Sequence, residues 1–318
     1  MLSQGGRSAS ASFMTEVDRQ SARLMFDLQA CQTVGSAYRG VGRYSTAFVN
    51  AVAAARGPRD LRVIVSQSLP HEVTELRLSR DRIVLLPHLP DWDVERDYAG
   101  GERDALDSLA YTSLVQRYKP DIVHVSHVFE GLGDRVPLPD PARRAPGQIL
   151  SATLYDLIPL VFQEHYFALP ELKPWYYARM KWLRQADLLL AISESTRQDA
   201  INHLGIEPWR VIAINAGISG HFQPPGDRTS SLRSLQSRYR LRDRYVLYTG
   251  GDDFRKNLEG AIEGFAEVAP GLRSNLQLVV VCALAEERKR HFLEIAKSRG
   301  LKPGSTHFGQ VSRFRRPL

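Results

Sequence analysis

The sequence predicts an α/β protein made of two parallel-sheet units. Three observations carry this. Short apolar runs alternate with helix-period stretches along the 318 residues. Several runs are apolar on both faces, as suits parallel strands covered by helices on each side. A Pro/Gly/Ser-rich stretch, Pro224–Ser231, interrupts the alternation and divides a first unit from a second.

Residues 1–19 read as a flexible leader, rich in Ser, Gly and Ala and without the apolar core of a secretory signal; Met14 is an alternative start. The first unit spans 20–223. Its strand runs are Leu24–Leu28, Leu61–Val65, Arg82–Leu86, Asp121–Val125, Ile149–Leu154, Leu188–Ile192 and Val211–Ile214. Val41, Tyr44, Phe48 and Val52 share one face of a predicted helix. Residues 224–244 form a linker. The second unit, 245–318, has strands at Tyr245–Thr249 and Leu276–Cys282, with a third at Thr306–Val311. Leu258, Ile262, Phe265 and Ala266 form a helical stripe between the first two. This unit is shorter than the roughly 100–150 residues of an ordinary domain. The run Ser312–Leu318 has neither helix nor strand period, so the chain reads as truncated or frame-shifted at its end. Two such units would face one another across a cleft, where ligands prefer to bind.

Composition narrows the function classes. Hydrophobic residues make up 43% and charged residues 24%, as in a folded soluble chain. No apolar run reaches the roughly 20 residues that span a bilayer. The two cysteines lack CxxC partners and the nine histidines do not cluster, which argues against disulfides and zinc and for a reducing compartment. Net charge is +7, concentrated late: from Arg233 onward there are 17 basic and 9 acidic residues. An anionic ligand fits that excess, although solubility alone explains it as well. Nucleic-acid binding would rest on charge alone, since no recognised motif supports it.

Five motifs carry candidate chemistry. In Tyr245–Leu258 a strand enters Gly250-Gly251, followed by Arg255, Lys256 and Asn257 as a helix N-cap. Glycines allow close backbone approach, the helix start attracts an anion, and Arg255 and Lys256 supply charge. Together they form a diphosphate cradle. The spacing is neither a P-loop nor GxGxxG. In Asp27–Ser45, Gly40 and Gly42 lead from a strand end into a helix, a ligand loop or a tight packing turn in equal measure. In Asp121–Gly131, His124 and His127 lie near a strand end; each taken singly suits a satisfied core ring, or a contact to a sugar hydroxyl. In Leu154–Pro159, Asp156 acts as a base or hydroxyl acceptor, or caps the next turn. In Asp187–Asp199, Ser193 reads as an N-cap, with phosphate binding by Ser193 and Thr196 the alternative. Trp175–Trp182 mixes aromatics and cations; it reads as a packed amphipathic helix, with membrane docking as the alternative.

Taken in order, these motifs resemble the retaining nucleotide-sugar glycosyltransferases of family 4. They comprise Phe26–Gln29, Arg39–Ser45, Asp121–His124, Tyr155–Pro159, Ala186–Ser193, Asn215–Gly217 and Gly250–Asn257. The Arg-Gly-Val-Gly-Arg-Tyr-Ser run is similar to that of the subgroup building bacterial surface polysaccharides, often mannosyltransferases. The resemblance implies the GT-B fold, two Rossmann-like domains facing a cleft, with the second incomplete. It implies transfer of a sugar from a nucleotide-diphosphate donor to a carbohydrate or lipid-linked acceptor, with retention. No metal and no cofactor are expected. Arg255 and Lys256 would bind the donor diphosphate, Gly40 and Gly42 would line the N-terminal loop, and a histidine after the Asp121 strand would approach the sugar. The resemblance leaves His124 and His127 open, and His127 is favoured because it lies nearer the strand end. The family's Glu-x7-Glu segment has no counterpart after Arg313. The alternative is a non-catalytic remnant acting as a binding module. The expected location is cytoplasmic, with peripheral contact on the inner membrane face.

Overall fold

The computed structural model describes residues 22–56, 60–87, 102–218 and 222–309. The expected leader at 1–19 and the tail from 310 lie outside them, as does the end of the expected strand Thr306–Val311. The chain divides into two compact units after residue 219.

The first unit is a seven-stranded sheet. Its strands are β1 (Leu24–Asp27), β2 (Leu61–Ser66), β3 (Ile83–Leu86), β4 (Ile122–Val125), β5 (Ile149–Leu154), β6 (Leu188–Ala191) and β7 (Val211–Ala213). Their order is β3-β2-β1-β4-β5-β6-β7, and every pairing is parallel. The two-sided apolar runs are explained by cores on both faces. One gathers Met25, Ile64, Val123, Leu150, Tyr176 and Leu183. The other gathers Phe26, Leu28, Val49, Val63 and Val65. Successive residues of β1 thus enter opposite cores, as strand periodicity requires.

Helices α1 (Gly40–Arg56), α2 (Glu102–Tyr118), α3 (Leu172–Gln185) and α4 (Glu194–Leu204) cover this sheet. The face of α1 that lies deepest is Gly42, Ser45, Thr46 and Val49. The expected stripe of Val41, Tyr44, Phe48 and Val52 is half-buried beside it. The apolar count misplaced the centre because small polar side chains let the helix sit close to the sheet. Helix α3 buries Tyr176, Met180, Trp182 and Leu183, which agrees with a packed amphipathic helix. No helix among the described residues is long and apolar enough to cross a membrane.

The second unit takes in the stretch expected as linker. Helix α5 (Arg228–Tyr239) forms there, with the Asp227 side chain accepting the amides of Thr229 and Ser230. It buries none of its residues, so no apolar stripe announced it. Strands β8 (Arg244–Thr249), β9 (Leu276–Val281) and β10 (Thr306–Gly309) form a parallel sheet in the order β10-β9-β8. Helices α6 (Leu258–Ala266) and α7 (Glu286–Ser298) pack on it. Leu258, Ile262, Phe265 and Ala266, the expected stripe, meet Leu278, Val280 and Phe292 in one core.

Candidate functional site

In the first unit the connections from β1 run to one side, through β2 and β3, and those from β4 run to the other. Such a reversal opens a crevice at the carboxyl ends of the two central strands. The side chains there form a polar cluster in which Asp27 and Glu130 each anchor a group of hydrogen bonds.

Asp27 ends β1 and is 2% exposed. Its carboxylate accepts the Gln29 backbone N–H at 2.7 Å, the Gln29 Nε2 at 2.9 Å and the Tyr111 hydroxyl at 3.0 Å. Burial pushes Asp27 up to about 6, only partly offset by these bonds.

The two candidate histidines separate clearly. His124 pairs in register with Phe26 and Ser151 inside the sheet. Its ring nitrogens lie 2.9 Å from Ser151 Oγ and from Thr153 Oγ1, and Phe26 and Phe48 pack against the ring. Burial pushes it down to about 3, so it is a neutral core residue. His127 lies beyond the end of β4, with its ring against Tyr155 at 5.1 Å and Phe129 at 6.0 Å between centroids. Its Nδ1 is buried, 3.3 Å from Glu130 Oε1.

Glu130 and Tyr155 had no role in the sequence reading. Glu130 also accepts the hydroxyls of Thr33, at 2.9 Å, and Ser36. Burial pushes its carboxyl up, but the contacts to His127, Ser36 and Thr33 outweigh burial and hold it below the usual carboxylate range. Tyr155 sits 3.0 Å from Ser45 Oγ and donates to the Val41 carbonyl at 3.2 Å, which ties the end of β5 to the start of α1. An aromatic residue at a strand end was the available signal for Tyr155; a lone loop glutamate offers none.

Gly42 and Gly40 differ. A Cβ on Gly42 would lie 2.5 Å from the Ala37 carbonyl oxygen and 2.6 Å from that of Ser36, so this glycine packs α1 against the loop. Nothing lies within 4 Å of a Cβ on Gly40, which faces open space. Asp156 accepts the Ile158 amide at 3.1 Å and caps the turn that follows β5. Ser193 caps α4 through the Thr196 amide at 3.1 Å, and the Thr196 hydroxyl donates to the Tyr155 carbonyl. Of the first-unit candidates, the loop after β1 and His127 join this cluster; His124 does not.

In the second unit, β8 runs into the Gly250-Gly251 turn, a 3-10 turn at Phe254–Lys256, and then α6. Asn257 caps α6 by accepting the Gly260 amide at 3.1 Å; its own backbone is left-handed, φ 47°. A Cβ on Gly250 would lie 2.8 Å from the Tyr248 hydroxyl, which donates to the Lys256 carbonyl at 3.1 Å across the turn. Tyr248 therefore braces the turn, a role its place in an apolar strand concealed. Arg255 is folded onto Asp253, with Nε and Nη2 at 2.8 and 3.1 Å from the two carboxylate oxygens. Asp252 is held in the same manner by Arg288 of α7. Lys256 has no carboxylate partner among the described residues. No group of three or more His, Cys, Asp or Glu among the described residues is arranged to hold a metal ion.

Two parallel sheets, with polar residues and a basic turn at strand carboxyl ends, define an α/β protein built of two Rossmann-like units. The chain belongs to Glycosyltransferase Family 4, whose sequence model matches residues 38–219. It is 25% identical over 286 residues to the serotype-specific mannosyltransferase WbdA of Escherichia coli, covering 87% of this chain and 34% of that protein. A second WbdA sequence from Escherichia coli is 30% identical over 182 residues, covering 57% of this chain and 22% of the relative. The chain thus spans at most about a third of the length of these curated relatives. Among solved structures it is similar to WaaG, a glycosyltransferase involved in lipopolysaccharide biosynthesis. There the TM-score is 0.54 at 18% identity, over 90% of this chain and 70% of that one. It is also similar to Anabaena HepE, solved with UDP and glucose, with a TM-score of 0.58 at 14% identity over 91% and 69% of the two chains. These likenesses establish the fold as GT-B.

Proposed function

We propose that this chain is a mannosyltransferase-like glycosyltransferase of surface polysaccharide synthesis. It takes a sugar from a nucleotide-diphosphate donor and retains the anomeric configuration. The bond between the sugar C1 and the diphosphate oxygen breaks, and the nucleotide diphosphate leaves with the electron pair. A bond forms between C1 and a hydroxyl oxygen of a carbohydrate or lipid-linked acceptor, whose proton passes to the departing diphosphate oxygen.

The observation that carries the reading is the collinear match to a mannosyltransferase over 286 residues. The residue chemistry supports it. Lys256, without a carboxylate partner among the described residues, offers its ammonium to the departing diphosphate, and Arg255 offers a guanidinium once it is shared with or released from Asp253. His127 and the loop after β1 supply hydrogen-bonding groups for the hydroxyl-rich substrates.

The test is turnover with a panel of GDP- and UDP-sugars and short mannoside acceptors, with the product anomer read by NMR. GDP-mannose is expected to be consumed with retention. Arg255→Ala together with Lys256→Ala is expected to lower turnover by on the order of 10²-fold or more. Unchanged turnover in the double variant would remove the cradle, and no turnover with any donor would leave a non-catalytic binding module.

A further inference from the structure

We infer that Glu130 is a positioning residue, whose single carboxylate locks the loop after β1 and sets the orientation and proton of His127. Its consequence for catalysis rests on the function proposed above; the geometry does not.

The loop Gln29–Arg39 has little regular structure beyond the turn at Gln29–Cys31. It is held from the segment that follows β4. Glu130 Oε2 accepts the Thr33 hydroxyl at 2.9 Å, and Oε1 accepts the Ser36 hydroxyl. Asp134, one helical turn's spacing further along, accepts the Val34 amide at 3.1 Å. The loop then delivers the chain to Gly40 and α1. Removing the carboxylate would release two hydroxyls at once in a buried place, since Glu130 is 8% exposed; Thr33 would keep only the long contact to the Ala30 carbonyl at 3.4 Å.

The same Oε1 lies 3.3 Å from His127 Nδ1, close enough for strong attraction though not aligned as a hydrogen bond. An ionised carboxylate at that distance favours a proton on Nδ1. In the neutral ring this leaves the Nε2 lone pair as an acceptor, and Nε2 has no partner among the described residues. Tyr155 and Phe129 fix the ring plane by edge contacts. Arg179, Tyr155 and Cys31 are the other ionisable groups that feel the carboxylate. None of them hydrogen-bonds Glu130 among the described residues, so the lock is made of Thr33, Ser36 and His127.

Long-range proton–nitrogen NMR of the full chain, without ligand, reads the tautomer of neutral His127. The expected result is Nδ1–H in the native protein and a shift toward Nε2–H in Glu130→Gln. Native His127 carrying its proton on Nε2 would overturn the inference. A second variant, Thr33→Val with Ser36→Ala, keeps Glu130 and serves if Glu130→Gln does not fold. It is expected to keep the Nδ1–H tautomer while amide exchange in residues 33–39 accelerates about tenfold or more; unchanged exchange would refute the loop lock. With a turned-over donor in hand, Glu130→Gln is expected to lower kcat by on the order of 10²-fold, with KM nearly unchanged; unaltered kcat would refute the catalytic consequence. If the NMR results hold but the native chain turns over no donor, the functional reading falls and the lock stands.

Discussion

His124 and Asp27 lie on neighbouring strands and impose opposite pH dependences. His124 is held neutral to about 3, whereas the unfolded chain takes that proton near 6.5. The unfolded state therefore binds more protons in between, and stability is lost as pH falls through that window. Asp27 keeps its proton to about 6 when folded, against 3.8 unfolded. Its contribution is present at low pH and is lost as pH rises from about 4 to 6. We expect His124→Gln to flatten the acid limb by on the order of 3 kcal/mol at pH 4.5. Asp27→Asn should steepen it by removing the opposing slope. Denaturant midpoints across pH 4 to 7.5 check both; a His124→Gln curve parallel to the native one would contradict the assignment. The sequence favoured His127 over His124 only as the one nearer the strand end. The difference comes from register: His124 falls opposite Ser151 in the ladder, while His127 follows the last ladder residue, Val125.

The start of α1 and the turn before α6 are where local geometry is tightest. Gly42→Ala would drive a Cβ into the Ser36 and Ala37 carbonyls. We expect a loss of about 1–3 kcal/mol in a chemical melt. Gly40→Ala, with open space around it, should change stability by no more than a few tenths of a kcal/mol. Equal effects of the two would contradict the packing role of Gly42. At α6, Asn257 combines a left-handed backbone with an N-cap, so Asn257→Ala should cost about 1–2 kcal/mol. The strand runs of the first unit became strands because their apolar residues meet cores on the sheet faces, whereas β8 sets only Tyr248 against its unit's core. Helix α5 was illegible for the converse reason: it buries nothing, and only Asp227 ahead of it marks its start. The bracing of the basic turn by Tyr248 was hidden too, since a tyrosine in an apolar strand gives no sign of which carbonyl it reaches.

At the level of the whole chain the two units differ in protection. The strands β1, β4 and β5 are almost wholly buried, while β8 leaves Val246 and Leu247 about half exposed. Amide exchange should therefore outlast in β1, β4 and β5 and run faster in β8 by at least tenfold; equal rates would contradict a difference in local stability. Some of the basic residues from Arg233 onward pair with carboxylates, as in Arg255–Asp253, Arg288–Asp252 and Arg299–Glu263, while the excess of basic over acidic residues stays uncompensated. Charge counting could not have shown this, because pairing depends on which helices meet. It leaves Lys256 as the cation of the turn without such a partner among the described residues. The account of donor binding thus comes down to an NMR titration of the labelled chain with GDP and with UDP. It predicts that one of them shifts the amides of residues 250–258 and that Lys256→Ala weakens that response by about tenfold or more. Nucleotide binding that leaves those amides unmoved, or that ignores the loss of Lys256, would contradict it.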